Sequence, residues 1–207
     1  MTNWAILPVK AFRKGKSRLR GALTLPELER LNQECFQRTF TELLKSACID
    51  RIVTVSREKR ALDWALGQGG LVIYEKRPSS LNQAVQAGLD YILAREPGQV
   101  LIVPTDLPLM TAADVQSLFS VAQPPRSLVI VPDLAQAGTN ALLLSQPDFL
   151  KPAFGQHSFQ NHCAQALNQS LRLIVYLNRS IQQDLDTPAD LNRLHIRSEV
   201  DLFSTMS

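Results

Sequence analysis

Two runs, Val100-Leu101-Ile102-Val103-Pro104 and Leu128-Val129-Ile130-Val131-Pro132, set the strongest limit on what this chain can fold into. Neither alternates apolar with polar side chains, so as strands both must be covered on two faces. Comparable short segments stand at Trp4 to Val9, Arg51 to Val55, Leu71 to Tyr74, Asn140 to Leu144 and Leu171 to Leu177. Longer amphipathic stretches separate them: Pro26 to Ala47, Arg57 to Leu66, Leu81 to Ala94, Ala112 to Val121, Ser158 to Asn168 and Pro188 to Leu194. This alternation predicts an α/β chain built on a mainly parallel, doubly wound sheet with helices on both sides, its ligands bound beyond the carboxyl ends of the strands. One interval breaks the pattern. Pro132 to Thr139 is too short for a helical crossover, so an antiparallel element, a hairpin or an antiparallel edge, is expected there. Helix starts are marked at Thr24 or Leu25 before Pro26, and at Thr187 before Pro188 with Asp190 close behind.

At 207 residues and 45% hydrophobic, the chain reads as a single domain over 1–207, with a core of about residues 4–194 and a polar tail, 195–207, that packs, frays or serves an oligomer contact such as a homodimer. No apolar run approaches the ~20 residues a membrane span needs. The opening Met1 to Val9 lacks the pattern of a signal peptide, so a cytoplasmic protein without a membrane partner is expected. Cys35, Cys48 and Cys163 are scattered, without metal-ligand spacing, and read as buried or half-buried thiols.

A net charge of +3 is too small to imply a nucleic-acid partner, but its distribution is uneven. Lys10, Arg13, Lys14, Lys16, Arg18 and Arg20 fall in one acid-free stretch directly after the first strand, and the remainder of the chain is net acidic. A basic loop at a strand's carboxyl end is placed to meet the phosphates of a nucleotide. Each charge-assisted hydrogen bond there contributes about 1.5–3 kcal/mol, so Lys10, Lys16 and Arg18 could supply most of the affinity for a triphosphate. Gly15-Lys16-Ser17 also suggests the end of a Walker A loop, but the glycine required five residues before the GK pair is Lys10, and Gly21 and Pro26 compromise the helix that should follow.

Asp106, in Thr105-Asp106-Leu107-Pro108-Leu109, lies just past a buried strand. It either caps a turn or, at the expected ligand edge, holds a magnesium ion, which takes one or two protein carboxylates together with phosphate oxygens. Asp184 and Asp186, two apart before the last helix, offer further carboxylates; both could reach one metal, or one could cap the helix while the other binds. Thr139, Gly155 and Ser158 form a third group, at a strand start and a helix start. Free backbone N–H groups, the helix dipole and two hydroxyls there could bind a small phosphorylated or carboxylated acid, with an ordinary N-cap at Ser158 as the competing reading. His157 and His162 read as surface or packing residues.

Together these blocks resemble the guanylyltransferases of deazaflavin coenzyme F-420 biosynthesis, which join GMP to 2-phospho-L-lactate or phosphoenolpyruvate. The resemblance is carried by Pro8-Val9-Lys10 with Lys16-Ser17-Arg18-Leu19, by Asp106 to Leu109, by Pro132 to Leu144, by Phe154 to Phe159 and by Asp184 to Leu191. It implies a single-domain, glycosyltransferase-A-like nucleotidyltransferase fold. It implies that Thr139, Gly155 and Ser158 bind the acid and that magnesium sits on Asp106 and Asp186. The family's GLN.A segment, which opens its nucleotide-side helix, is Ser80-Leu81-Asn82-Gln83-Ala84 here, placing Leu81 and Asn82 at the nucleotide. GTP and a small phosphorylated acid are the partners implied, with Lys10, Lys16, Arg18 and Asp106 as the catalytic set. The competing readings are a related nucleotidyltransferase of molybdopterin or sugar-phosphate type, a P-loop NTPase, and a non-catalytic nucleotide-binding regulator.

Overall fold

The computed structural model describes residues 2–194; the tail, 195–207, with its expected oligomer contact, lies outside the described residues. Seven strands, β1 (Asn3–Val9), β2 (Arg51–Ser56), β3 (Leu71–Tyr74), β4 (Gln99–Ile102), β5 (Ser127–Pro132), β6 (Thr139–Leu144) and β7 (Arg172–Val175), form one sheet in the order β3-β2-β1-β4-β6-β5-β7. All neighbours pair in parallel except β6, which runs antiparallel to both β4 and β5. The short interval after Pro132 is thus a hairpin but not an edge. Its return strand β6 lies inside the sheet, because Thr139–Leu144 is buried throughout and needs a partner on each side.

Around the sheet stand α1 (Leu25–Lys45), α2 (Lys59–Gly67), α3 (Leu81–Leu93), α4 (Ala112–Val121), α5 (Ser158–Asn168), α6 (Arg179–Gln182) and α7 (Pro188–Arg193). The two-residue period of the strands sorts the core into two layers. Ala5, Leu7, Leu101, Val103, Val129 and Leu143 meet Phe36, Phe40, Val115 and Leu118 from α1 and α4. Trp4, Ile6, Val100, Ile102, Leu128 and Leu142 meet Val85, Leu89 and Ala166 from α3 and α5. Such two-sided burial is what the unbroken apolar runs required. Side-chain capping boxes start α1 (Thr24 with Glu27), α3 (Ser80 with Gln83), α4 (Thr111 with Asp114) and α7 (Thr187 with Asp190). α6 is too short to show a helical period, which is why the pattern missed it.

Successive strands step outward from β1 to β3, and the chain then returns to β4 on β1's other side. This reversal is a topological switch point, and the loops leaving β1 and β4 splay apart there to open a cleft. Among the described residues no helix is long and apolar enough to cross a membrane.

Candidate active site

The basic loop after β1 is held by two apolar anchors. Phe12 is buried in the core, and Asn32 Nδ2 on α1 donates to its carbonyl at 2.7 Å. Leu19 is buried against Leu185 and Leu191. Between them the N–H groups of Lys14 and Gly15 both donate to the Ala11 carbonyl, and Lys16 adopts a left-handed conformation at φ 48°. For a residue with a side chain that backbone costs on the order of 1 kcal/mol. An offsetting contact is present: Lys16 Nζ donates to the Leu185 carbonyl at 2.7 Å. The chain continues as a single 3₁₀ turn, Ser17–Gly21, and the next α-helix begins only at Leu25 under its own cap. A Walker A loop runs straight into an α-helix whose N-terminus faces phosphate, so this backbone is not that of a P-loop.

Lys10, Lys14, Lys16, Arg57, Glu75, Leu81, Asp106 and Asp186 line a cleft of about 610 Å³ at the switch point. That volume suits a nucleotide. Arg18 is exposed on the 3₁₀ turn outside the lining, but its charge, like those of Lys16 and Lys10, reaches Asp186 and favours its ionised form. Arg13 turns away to pair with Glu29. Arg57 and Glu75, at the carboxyl ends of β2 and β3, were not singled out in the sequence. The strand-end rule that picked Lys10 and Asp106 applies to them equally.

Asp106 and the Asp184–Asp186 segment meet through the main chain, because the Leu185 N–H donates to the Asp106 carbonyl at 2.8 Å. Leu185 is buried, and both flanking carboxylates lie close enough to Asp106 to feel its charge. Burial, then the neighbouring Asp106 carboxylate, raise the Asp184 carboxyl to about 6 and push Asp186 upward as well. Neither caps the following helix. Thr187 does, and Asp190 Oδ2 accepts from the N–H groups of Asp186 and Thr187 at 3.1 and 2.7 Å. The cap question left by the sequence is thereby resolved in favour of Thr187 and Asp190. Asp106 Oδ1 is buried and accepts no hydrogen bond among the described residues, the condition of an oxygen suited to a cation.

The third group lies beyond β4. Asp133 accepts from the N–H groups of Ala137 and Gly138 at 2.9 Å each and closes the hairpin that leads into Thr139. A Cβ at Gly138 would stand 2.7 Å from Asp133 Oδ2 and push that carboxylate off its two N–H donors. Gly155 is exposed at φ +123°, a conformation that disfavours any side chain. The cap of α5 is His157, in a left-handed conformation and without a side-chain cap bond, while Ser158 is the first helical residue and is buried. An N-cap at Ser158 was therefore a misplacement by one residue. The backbone there is also less available to an anion than the sequence suggested, because the Ser158 N–H donates to the Gly155 carbonyl and the Phe159 N–H to the Ala137 carbonyl. The Thr139 and Ser158 hydroxyls stand beside the remaining N–H groups of the turn as candidate donors.

Leu81 borders the cleft, whereas Asn82 uses its amide on the backbone of Phe154: Nδ2 donates to the carbonyl at 3.1 Å and Oδ1 accepts from the N–H at 2.7 Å. Ser80, where the resembling family has glycine, sits at φ −75° and caps α3, so nothing in this backbone calls for glycine. His162 is wholly buried, as a packing residue should be, yet both its ring nitrogens are hydrogen-bonded.

A family model described as guanylyl transferase CofC like matches residues 3–201. The chain is 34% identical to the phosphoenolpyruvate guanylyltransferase of Sphaerobacter thermophilus, over 94% of this chain and 93% of that protein. It is 30% identical to the 2-phospho-L-lactate guanylyltransferase of Methanothermobacter thermautotrophicus, over 96% of this chain and 86% of that protein. Among solved structures, a nucleotidyl transferase from Methanothermobacter thermautotrophicus superposes with a TM-score of 0.67 at 13% identity, covering 93% of this chain and 95% of that one. The architecture is that of an α/β nucleotidyltransferase.

Proposed function

Because the chain belongs to the CofC-like guanylyl transferase family, we propose that it transfers GMP from GTP to a small phosphorylated acid, phosphoenolpyruvate or 2-phospho-L-lactate, as a cytoplasmic step of coenzyme F-420 biosynthesis. The observation that carries this reading is that Asp106 and Asp186 line one cleft with the basic loop, with one buried Asp106 oxygen unpartnered among the described residues. In this reading a phosphate oxygen of the acid attacks the α-phosphorus of GTP in line, the new P–O bond forming as the bond to the β-phosphate bridge breaks and pyrophosphate leaves. A phosphate dianion is already a nucleophile, so no general base is required; the protein positions the reactants and offsets their charge. Lys10, Lys16 and Arg18 neutralise the departing pyrophosphate. Leu81 borders the nucleoside, and Thr139, Gly155 and Ser158 hold the acid. Asp106 and Asp186 are the residues that would hold magnesium, which when bound supplies positive charge to the α-phosphate. The raised pKa of Asp184 and Asp186 fits such a site, since crowded carboxylates gain from a cation.

Incubation with each NTP and with phosphoenolpyruvate, 2-phospho-L-lactate or 3-phosphoglycerate, followed by mass spectrometry, tests this directly. The expected result is a GMP adduct of one of the first two acids, with pyrophosphate released only when GTP and acid are both present. Phosphate release without an acceptor, or GTP binding without turnover, would count against it. Asp106→Asn is expected to lower kcat at least about 100-fold, a loss typical of removing a transition-state charge stabiliser, while leaving the thermal midpoint unchanged or higher through relief of repulsion with Asp184 and Asp186. Near-normal turnover in that variant would remove Asp106 from the mechanism.

A further inference from the structure

His162 on α5 carries no role in the transfer described above, yet its surroundings fix the state of its ring. Nε2 accepts the Ala153 N–H at 3.1 Å, so the proton of the neutral imidazole is on Nδ1. Nδ1 lies 3.0 Å from Thr139 Oγ1, inside the protein. The Thr139 hydroxyl therefore accepts from the ring, and its own hydrogen must point elsewhere. We propose that His162 is a positioning residue which, through this bond, fixes the Thr139 hydroxyl as a donor toward an anionic oxygen of the phosphorylated acid.

The inference rests on the reading of Thr139 as an acid-binding residue. Several contacts hold the ring in place. Phe154 packs edge-on against it with centroids 5.0 Å apart, and the Phe154 backbone is gripped on both sides by Asn82 of α3. Burial also depresses the imidazole to about 4, so the ring stays neutral at working pH and Nε2 remains an acceptor. A protonated ring would lose the Ala153 bond. A ring of the opposite tautomer would draw the threonine hydrogen inward and present only lone pairs to an anion. Ser158, four residues before His162 on the same helical face, brings the second hydroxyl to the same side. For Thr139 the imidazole thus sets the hydrogen-bond polarity.

Long-range ¹H–¹⁵N spectra of the wild-type protein test the tautomer without any substitution: Nδ1 should be protonated and Nε2 bare, and the reverse would overturn the proposal. Kinetics test its consequence. His162→Leu should raise KM for the acid at least about tenfold, the value of one lost hydrogen bond of ~1.4 kcal/mol, with KM for GTP changed by no more than about twofold. His162→Asn keeps an amide donor near the Nδ1 position and should recover most of that loss. In a Thr139→Val background the His162→Leu change should add nothing, the signature of residues acting as a unit. If Thr139→Val raises the acid KM but His162→Leu adds to it independently, or if His162→Asn is as impaired as His162→Leu, the imidazole only packs and the proposal is wrong. Should Thr139→Val leave the acid KM unchanged in an active enzyme, the acid-site reading of Thr139 fails and takes the proposal with it. That outcome is distinct from a wild-type protein that makes no GMP adduct.

Discussion

His162 shows how one buried side chain can report its environment in solution. Its folded pKa is depressed to about 4, from an ordinary value near 6.5, by burial. The unfolded chain therefore binds the proton first as pH falls, and the stability present above pH ~6.5 is lost as pH drops toward about 4. The expected contribution is about 2 kcal/mol by pH 5. Urea unfolding of wild type and His162→Asn at pH 7.5 and pH 5 measures it: the wild type should lose more stability than the variant on acidification, and parallel losses would show that the ring titrates normally. Other single residues were harder to read. Asp184, Asp186 and Asp190 are indistinguishable by type, and only the hydrogen bonds from Thr187 and Asp186 to Asp190 show which of them closes the cap. Ser80 was legible as a departure from glycine but not as a cap, until Gln83 was seen to complete the box.

At the scale of elements, the site depends on loops fastened at a few points. The aspartate loop between α6 and α7 is tied to Asp106 by the Leu185 N–H, to Lys16 by the Leu185 carbonyl, and to α7 by the Thr187 cap. In addition, Asn140 Nδ2 on β6 donates to the Ile181 carbonyl at 2.9 Å, anchoring the helix just before it. Thr187→Ala removes one of these fastenings. It should cost about 1 kcal/mol, about 2–4 °C in the thermal midpoint for a chain of this size. On the proposed role of Asp186 as a magnesium ligand, the same variant, which frees the N-terminus of α7, should also raise the magnesium concentration for half-maximal turnover severalfold. A stability loss without a change in magnesium demand would separate the cap from the proposed metal site.

Across the whole molecule, the sheet carries the cleft and the proposed acid site on neighbouring strands. Loops after β1, β2, β3 and β4 surround the cleft, while β6, α5 and the Phe154–Gly155 segment carry Thr139, Ser158 and Gly155, the residues proposed to hold the acid. Asn82 links the two, since it lies in the first turn of α3, whose Leu81 borders the cleft, and grips Phe154. Asn82→Ala should accordingly raise KM for both substrates, whereas Lys16→Ala should act mainly on GTP and Gly155→Val mainly on the acid. Initial rates over a grid of both substrates distinguish these patterns; an Asn82→Ala effect confined to GTP would show direct nucleotide contact with no bridging role.

What the sequence determined by itself was whatever depends on neighbours in the chain. Unbroken apolar runs called for strands covered on both faces, proline and threonine marked the starts of α1 and α7, and a basic loop and an aspartate at strand ends located the cleft. These signals arise from periods and caps that act within a turn or a strand. Tertiary structure alone decided that β6 lies inside the sheet, that the loop after β1 closes as a 3₁₀ turn, that Asp186 meets Asp106, and that His162 reaches Thr139. Those outcomes follow from strand order, register and the burial of Phe12, Leu19 and Leu185, all of them contacts between segments far apart in the chain.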